Sequence, residues 1–518
     1  TYASSTKFYL RDQASPNTSW RTTLPFPVHV VERVTVRDEL SGGTLTTEYR
    51  YHHGYWDGEE REFRGFGMVE QLDTEVFDGY AGRALPGDRE ELRRRRQQQS
   101  FSPAVLTRTW FHQGPVDPAD DGHWQELDWS GIDGSSTQRP GGHRPADEYW
   151  SGDPNLLAHT KAVNQFLKTV APAARRDALR ALRGSILRSE LYALDGSPLQ
   201  DRPYTVTEHA YDLREESQPT DSDSTRQRIF FPFRTAQRTT QWERGDDPMT
   251  QFSFTNSYDD YGQPLSQTSI AVPRGRDFRV AVASREPYLA MHTVTSYAQR
   301  DDGERYIVDR AASATSYQIP NDGSASVFTL RNAIENGDFD IEANLIGQTL
   351  NFYDGGAFTG LPLGQLGRFG AVVRTETLVM TRDQLRAAYG DVPRYLVPGA
   401  PFQPDAEYPK GFVDYVKSLP DVAGYLYRTA TDHNSEGYFA VAASKRYDFH
   451  NAAGTGRGLV LAQRDPLGHE TTIDYDDYQL LPKQVTGPTG LITKAEYDYR
   501  VLQPKRVIDP NGNVTDVA

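Results

Sequence analysis

Two groups of residues carry side chains whose types and spacing could do chemistry. The first is the string Tyr55-Trp56-Asp57-Gly58-Glu59-Glu60-Arg61-Glu62-Phe63-Arg64-Gly65-Phe66-Gly67-Met68-Val69-Glu70, followed by Asp73-Thr74-Glu75. Clustered carboxylates can act as general acid and base or hold a cation, but acid catalysis needs one pKa raised by burial or by a neighbouring charge. Arg61 and Arg64 stand among these acids and favour their ionised forms. The string is therefore expected to be the charged, solvated face of a hairpin, with Asp57-Gly58 in the turn and Gly65 and Gly67 permitting close packing of a neighbouring element. The second group is His112, His123 and His143 with Asp117, Asp120 and Asp121. Their spacing fits no HExxH helix, zinc knuckle or EF-hand loop, so a surface loop is expected and no metal is assigned. Neither GxGxxG nor GxxxxGK[ST] appears between a strand and a helix, so no nucleotide or other cofactor is expected. The chain has no cysteine, which removes disulfides and thiol chemistry.

The elements that must position these residues are strands, and at the C-terminal end they repeat. Asp465 to Thr486 and Gly487 to Ile508 align at a spacing of 22 residues, as Pro466 to Pro488 shows, and a third window opens at Asp509. Pro466, Gly468, Tyr475 and Asp476 recur as Pro488, Gly490, Tyr497 and Asp498, and Pro510 and Gly512 continue the series. A fixed period of this length signals stacked units, each burying its apolar face against its neighbours. Each unit is expected to be a Pro-x-Gly turn, a strand ending at Tyr-Asp, a short connection and a second strand through Leu-x-Pro-Lys-x-Val. Glycine suits the turn because it tolerates positive φ; the tyrosine packs a ring with a polar tip, and the aspartate accepts turn amides. These are structural jobs, and the repeat pairs no nucleophile with a base.

Composition agrees with extended sheet. At 518 residues the chain exceeds one ordinary core. Its 37% apolar content is lean against the usual roughly 45 to 50%. Disorder is excluded by 29 Tyr and 23 Phe spread along the sequence. A net charge of −15 argues against a nucleic-acid partner, and the basic run Arg93 to Arg96 is expected to be solvated. No apolar run approaches the roughly 18 to 20 residues that span a bilayer, so no direct membrane insertion is expected. The chain begins Thr1-Tyr2-Ala3 and stops just inside a third repeat, so it is expected to be a piece of a longer polypeptide.

Along the chain, 1–155 is expected to be β-rich, with Leu45, Thr47, Tyr49, Tyr51, His53 and Tyr55 on one strand face and a turn at Ser41-Gly42-Gly43. Residues 156–186 are expected to form a helical insertion. Leu157, Thr160, Val163, Leu167 and Val170 make one apolar stripe, interrupted by Pro172 and resumed by Ala178, Leu179, Leu182 and Ile186; Gly184 ends the pattern. Residues 187–380 return to strands, with a hairpin from Leu187 to Tyr211, a polar loop at Ser217 to Thr225, a second Tyr-Asp theme at Tyr258-Asp259, and glycine turns such as Asp354-Gly355-Gly356. A small helical insertion is expected at 381–420, opened by the capping box Thr381-Arg382-Asp383-Gln384 and including Lys410 to Leu419. The array occupies 421–518, beginning with an imperfect unit at Tyr447-Asp448 that is lengthened by Ala452 to Gly458.

Four stretches now carry a resemblance: His53 to Glu75, Leu106 to Gly114, Ala181 to Leu199, and Asp474 to Asn513. In this order they resemble the middle region and first RHS (YD) repeats of the B subunit of bacterial insecticidal toxin complexes, the Tc toxins. The repeat alone is shared with other polymorphic toxins and adhesins; the GFG string and Leu187-Arg188-Ser189-Glu190-Leu191-Tyr192 narrow the match. The resemblance implies a mainly β fold, a large curved antiparallel β-sheet assembly leading into an RHS-repeat shell wall, with small helical insertions. It implies a non-enzymatic, secreted or cell-surface-associated protein that encloses a toxic polypeptide. Its protein partners would be a C subunit, which completes the shell and supplies the cargo, and a pore-forming A subunit engaged through regions outside this chain. The propeller that gates such shells and the aspartyl self-cleavage site of the C subunit have no counterpart in the sequence and are not assigned. Two alternatives stand beside the shell segment: a carbohydrate-binding or carbohydrate-cleaving β protein, suggested by 7 Trp, 29 Tyr and the acidic clusters, and an RHS-type surface adhesin or polymorphic toxin carrier.

Overall fold

A computed structural model describes residues 1–14, 24–37, 44–58, 60–76, 103–114, 148–153, 157, 166, 169–170, 172–217, 228–283, 286–340, 344–391, 425–451 and 456–516. The turn at Ser41-Gly42-Gly43, the run Arg93 to Arg96, His123, His143, Asp117, Asp120, Asp121, Thr160, Val163, Leu167, residues 218–225 and the segment Lys410 to Leu419 lie outside them. The fold is mainly β, with few helices. Its residues fall into two compact units, the first comprising Thr1–Thr255, Thr268–Ala290 and Asn321–Asn332, the second Asn256–Gln267, Met291–Pro320 and Ala333–Ala518.

In the first unit, β1 (Tyr2–Ser4) pairs with β2 (His29–Val31), and the rest is an antiparallel sheet. Its strands are β3 (Arg33–Arg37), β4 (Thr44–Asp57), β5 (Glu62–Val76), β6 (Ala104–Phe111), β7 (Ile186–Leu194), β8 (Thr205–Ser217), β9 (Ile229–Gln241) and β10 (Met249–Tyr258). From β3 to β10 each strand hydrogen-bonds to the next in sequence, so the connections are local. The helix Pro172–Ala181 lies on this sheet. Ala174, Ala178, Leu179 and Leu182 are buried with Leu213 of β8 and Phe230 of β9. Proline stands at its first position, where the missing N–H costs nothing. A helix on the sheet is what the apolar stripe predicts, but Ile186 opens β7 and does not extend the helix.

A second helix, Ser5–Gln13, was not foreseen within the β-rich reading. Ser4 caps it by accepting from Thr6 N, and Phe8 packs edge-on against Tyr51 at 5.6 Å. The strict alternation expected along β4 also fails at one residue, because His53 has φ +57, the left-handed region.

The second unit holds an antiparallel sheet built from β12 (Leu289–Asp301), β13 (Tyr306–Gln318), β14 (Leu345–Tyr353), β15 (Val372–Met380), β16 (Tyr425–Arg428), β17 (Gly437–Tyr447), β18 (Val460–Arg464), β19 (Glu470–Tyr475), β20 (Pro482–Thr486), β21 (Ile492–Asp498), β22 (Gln503–Ile508) and β23 (Val514–Asp516). Strands β10, β11 (Pro264–Val272) and β12 contribute residues to both units. From β17 onward each strand again pairs with the next in sequence. The capping box at Thr381 is present: Thr381 Oγ1 accepts from Gln384 N, Gln384 Oε1 accepts from Thr381 N, and the helix Arg382–Tyr389 ends at Gly390 with φ +79. The helix Val327–Glu335 falls in a stretch whose sequence suggests turns; Ser326 Oγ accepting from Thr329 N fixes its start.

Glycine matters for two different reasons in these units. Gly490 has φ +79 and open space around the missing Cβ, so a side chain there is opposed by backbone strain alone. Gly114 combines φ +58 with a Cβ position 2.2 Å from the Leu179 carbonyl oxygen, where the chain passes under the helix. Gly490→Val is expected to destabilise by about 1 kcal/mol or more, and Gly114→Ala by more than that; urea unfolding monitored by far-UV CD measures both.

Candidate functional site

The recurring chemistry of this chain is a tyrosine–aspartate clasp at the end of a strand. A tyrosine in the closing turn of a strand lies diagonally opposite the first residues of its antiparallel neighbour, within reach of a long side chain. Tyr497 donates its hydroxyl to the carbonyl of Pro482, the first residue of β20, at 2.9 Å. Tyr447 does the same to Val372, the first residue of β15, at 2.7 Å, and Tyr353 to Ala311 of β13 at 2.8 Å. In the first unit Tyr211, in the middle of β8, makes a similar bond to Ile186, the first residue of β7, at 3.0 Å.

The aspartate that follows closes the connection. The backbone N–H of Asp476 donates to Leu481, of Asp448 to Leu459 and of Asp354 to Ala371, in each case the residue just before the next strand. The carboxylates then gather loop amides. Asp354 accepts from Gly367, Gly370 and Ala371; Asp448 accepts from Phe449, Arg457, Gly458 and Leu459; Asp476 accepts from Leu480; Asp498 accepts from Arg500. Hydrogen bonds to the ionised form hold Asp476 and Asp498 below the usual carboxylate range, against the desolvation that Asp476 suffers. Tyr499 adds a link between successive units by donating to Asp476 Oδ2 at 2.9 Å.

The opposite end of each unit is the Pro-x-Gly turn. Pro466, Pro488 and Pro510 occupy its second position, and Gly468, Gly490 and Gly512 close it with φ of +83, +79 and +83. Gly468 N donates to Asp465 O, Gly490 N to Gly487 O and Gly512 N to Asp509 O, at 3.0, 2.9 and 3.0 Å. This is a type I turn followed by a left-handed residue, the usual three-residue hairpin. Asp259 to Gln263 forms the same turn, with Gly262 at φ +83. All ten repeat residues singled out from the sequence therefore lie at hairpin ends: Pro466, Gly468, Pro488, Gly490, Pro510 and Gly512 at one end, Tyr475, Asp476, Tyr497 and Asp498 at the other. Tyr353-Asp354 is a further clasp, where the Asp354-Gly355-Gly356 sequence by itself suggests only a glycine turn. The Tyr-Asp dipeptide itself was the available signal.

The carboxylate string differs from its expected solvated face. The pairing passes from Tyr55 opposite Gly65 to Trp56 opposite Phe63, which leaves Arg64 as the extra residue of a bulge. Arg64 turns inward and donates to Asp57 Oδ2 at 2.8 Å, and both side chains are buried. Gly65 serves this bulge through φ +92, with nothing near its missing Cβ, so close packing is not its role. Glu62 meets Arg183, and also Arg64 at 3.2 Å and Arg180 at 3.9 Å. Glu70 is lowered to about 2: burial opposes ionisation, but His52, Arg108 and Arg50 outweigh it. Asp57 and Glu62 are paired with arginines, and Glu70, held ionised, is unsuited to proton donation near neutrality.

Glu70 begins a row of opposite charges across the first sheet. Arg50 faces Glu70, Glu70 faces Arg108 and Arg108 faces Glu190 in register; Arg188 faces Glu208, and Glu208 faces Arg238. Arg188 donates to Glu190 at 2.7 Å and Glu208 at 3.1 Å, while Arg238 donates to Glu208 at 2.8 Å and, through both terminal nitrogens, to Asp153 at 2.8 and 2.7 Å. Residues 148–153 cover the row, with Trp150 N on Glu190 and Tyr149 stacked on Arg188. In the second unit Glu376, fully buried, is held by Arg428 and Arg374. Among the described residues no group of His, Cys, Asp and Glu could hold a metal ion.

His112 is the described member of the histidine group, and it is core. It is fully buried, 5.7 Å edge-on from Tyr211, and burial lowers it to about 3. An unfolded histidine takes up a proton near 6.5, so this group's contribution is present above that pH and is lost as pH falls from 6.5 towards 3, at up to about 1.4 kcal/mol per unit. His112→Phe is expected to flatten the dependence of urea midpoint on pH between 6.5 and 4. Tyr447→Phe, which strands the Val372 carbonyl, is expected to cost about 0.5 to 1.5 kcal/mol at any pH in that range, read in the same titration.

Comparison with known proteins agrees with this architecture. The family described as the insecticide toxin TcdB middle/N-terminal region matches residues 1–80, and the TcdB middle/C-terminal region matches residues 177–323. No curated protein matches the sequence. Among solved structures, the TcdB2-TccC3-Cdc42 crystal structure aligns with 100% of this chain and 23% of its own, at 24% identity and a TM-score of 0.64. TcdB2-TccC3 without its hypervariable C-terminal region gives the same coverages and identity with a TM-score of 0.63. The Tc holotoxin pore of Photorhabdus luminescens covers 98% of this chain and 22% of its own, at 25% identity and 0.64. The chain thus spans about 23% of the length of the structures it matches. None of these matches indicates a catalytic family. With TcdB middle-region matches over residues 1–80 and 177–323 and the fold aligned end to end, the chain is similar to the Tc toxin B-subunit-like proteins.

Proposed function

We propose that this chain is a non-catalytic structural segment of a hollow RHS-repeat shell that encapsulates a toxic polypeptide in a Tc-type delivery complex. In this reading 421–518 is the start of the RHS (YD) array, the protein is secreted, a C subunit completes the wall and supplies the cargo, and an A subunit engages regions outside this chain. The observation that carries it is the alignment of the whole chain, at a TM-score of 0.64, with a B-subunit-type protein solved together with TccC3. The clasps support it. They strengthen hairpin ends in the way a wall of stacked hairpins requires, since such a wall has little core depth to hold its register. The matched charges support a role without acid–base chemistry. Among the described residues no helix is long and apolar enough to cross a membrane.

The test is to express the full reading frame with a C-subunit-type partner and image the complex by negative-stain electron microscopy. A hollow particle whose enclosed C-terminal segment resists protease until the wall is unfolded is expected. A compact solid body, or a cargo segment cleaved at the rate of the free polypeptide, would overturn the reading. Asp57→Asn in that complex is expected to lower stability through loss of the Arg64 pair while leaving cargo protection unchanged below the unfolding temperature.

A further inference from the structure

Two consecutive histidines in β4 contact the N-terminal helix, β5 and the segment 148–153. His53 sits at φ +57, a conformation that a non-glycine residue in mid-strand adopts at a cost and that clusters at working parts of proteins. This kink brings both imidazoles into play, 6.4 Å apart. His52 Nδ1 lies 2.7 Å from Asp12 Oδ2 in the last turn of the helix Ser5–Gln13, and its Nε2 lies 3.8 Å from Glu70 of β5. His53 Nε2 lies 2.7 Å from Glu148, which also accepts from Trp110 Nε1 at 3.1 Å.

Charged groups face His52 from several described elements. Asp12 approaches from the helix, Glu70 from β5 and Glu148 from the covering segment; on the cationic side, Arg50 of β4 and Arg108 of β6 are both engaged with Glu70. The carboxylates are closest, so the charged imidazole is the form that this pocket favours. Burial lowers the affinity of His52 for its proton, but the hydrogen bond to Asp12 and the negative charges of Asp12 and Glu70 more than compensate and raise it to about 9. Other contacts of the helix include Phe8 on Tyr51, Ser5 Oγ accepting from Val28 N, Ser5 N donating to Val28 O at 2.8 Å, and the exposed pair Lys7 and Glu32.

We propose that His52 is the proton-operated latch of the N-terminal helix, holding it against β4 while charged and releasing it on deprotonation. The sign follows from linkage. On docking the imidazole gains Asp12, while Glu70 of β5 lies beside it in either state, so docking is supported while the imidazole is charged and weakens as pH rises through the docked value near 9. This inference stands independently of the shell proposal, since it requires only the first unit.

The chain lacks cysteine, so a single spin label at Leu10→Cys, an exposed position on the helix, reports its docking without further changes. In the full chain the label is expected to be immobilised at pH 7 and to become mobile, reversibly, between pH 8 and 10, with unchanged far-UV CD. The docking constant should fall by up to about tenfold between pH 8 and 10. The His52→Gln background should show a mobile label at pH 7 and no step; Asp12→Asn, which leaves β4 untouched, should do the same. Absence of a step in the parent, a step that coincides with loss of CD, or an identical step in either variant would overturn the proposal.

Discussion

The structure depends on how an antiparallel hairpin is closed when little apolar surface is available behind it. A sheet that leans on a deep core has its register set by which face must be buried. Much of this chain, above all the strands after β17, is only half-buried on both faces. The Tyr-Asp clasp supplies the missing constraint. The tyrosine hydroxyl ties the end of one strand to a carbonyl at the start of its neighbour, and the aspartate ties down the connection. Because both act on backbone groups, they tolerate wide variation in the intervening loop. Asp354 closes a connection that runs to Ala371, Asp448 one that runs to Leu459, and Asp476 one that runs only to Leu481.

The same shortage of apolar depth explains the buried charges. Across-strand pairs of opposite charge stabilise a sheet modestly, and taking them out of water costs more than their attraction returns unless every donor and acceptor is met. In the first unit the row from Arg50 to Arg238 meets this condition by alternating sign strand by strand and by taking Asp153 and Trp150 N from the covering segment. The second unit uses neutral groups for part of the same job: Ser296 with Ser313 at 2.7 Å, Gln348 with Thr315, and the turn carrying His433 and Ser435 laid over them. Loss of one member would leave its partners buried and unpaired, which makes these rows specific to one register.

This chemistry bears on what the protein can do. Carboxylates that share a site with arginine are held ionised, and a histidine sealed in apolar surroundings is held neutral; neither is poised to exchange protons with a substrate at neutral pH. Glu70 falls in the first class and His112 in the second. The exception is His52, whose proton is retained by two carboxylates from different elements and whose loss would be felt by the packing of the helix and not by a bound molecule.

The sequence alone determined the features that depend on short-range geometry. Pro-x-Gly at a spacing of 22 residues specifies a turn needing one left-handed residue, the Thr381 box specifies a helix start, and the apolar stripe from Val170 to Leu182 specifies a face to bury, because each is settled within a few residues of backbone. Tertiary structure alone decided the rest. That Asp57 meets Arg64 out of water, that Tyr353-Asp354 belongs with the C-terminal clasps, that His53 leaves the strand conformation and that Ile186 begins a strand all depend on which chain lies alongside. A charged string has the same local signature on a solvated face as in a buried row, and only the pairing of distant strands removes the water that distinguishes them.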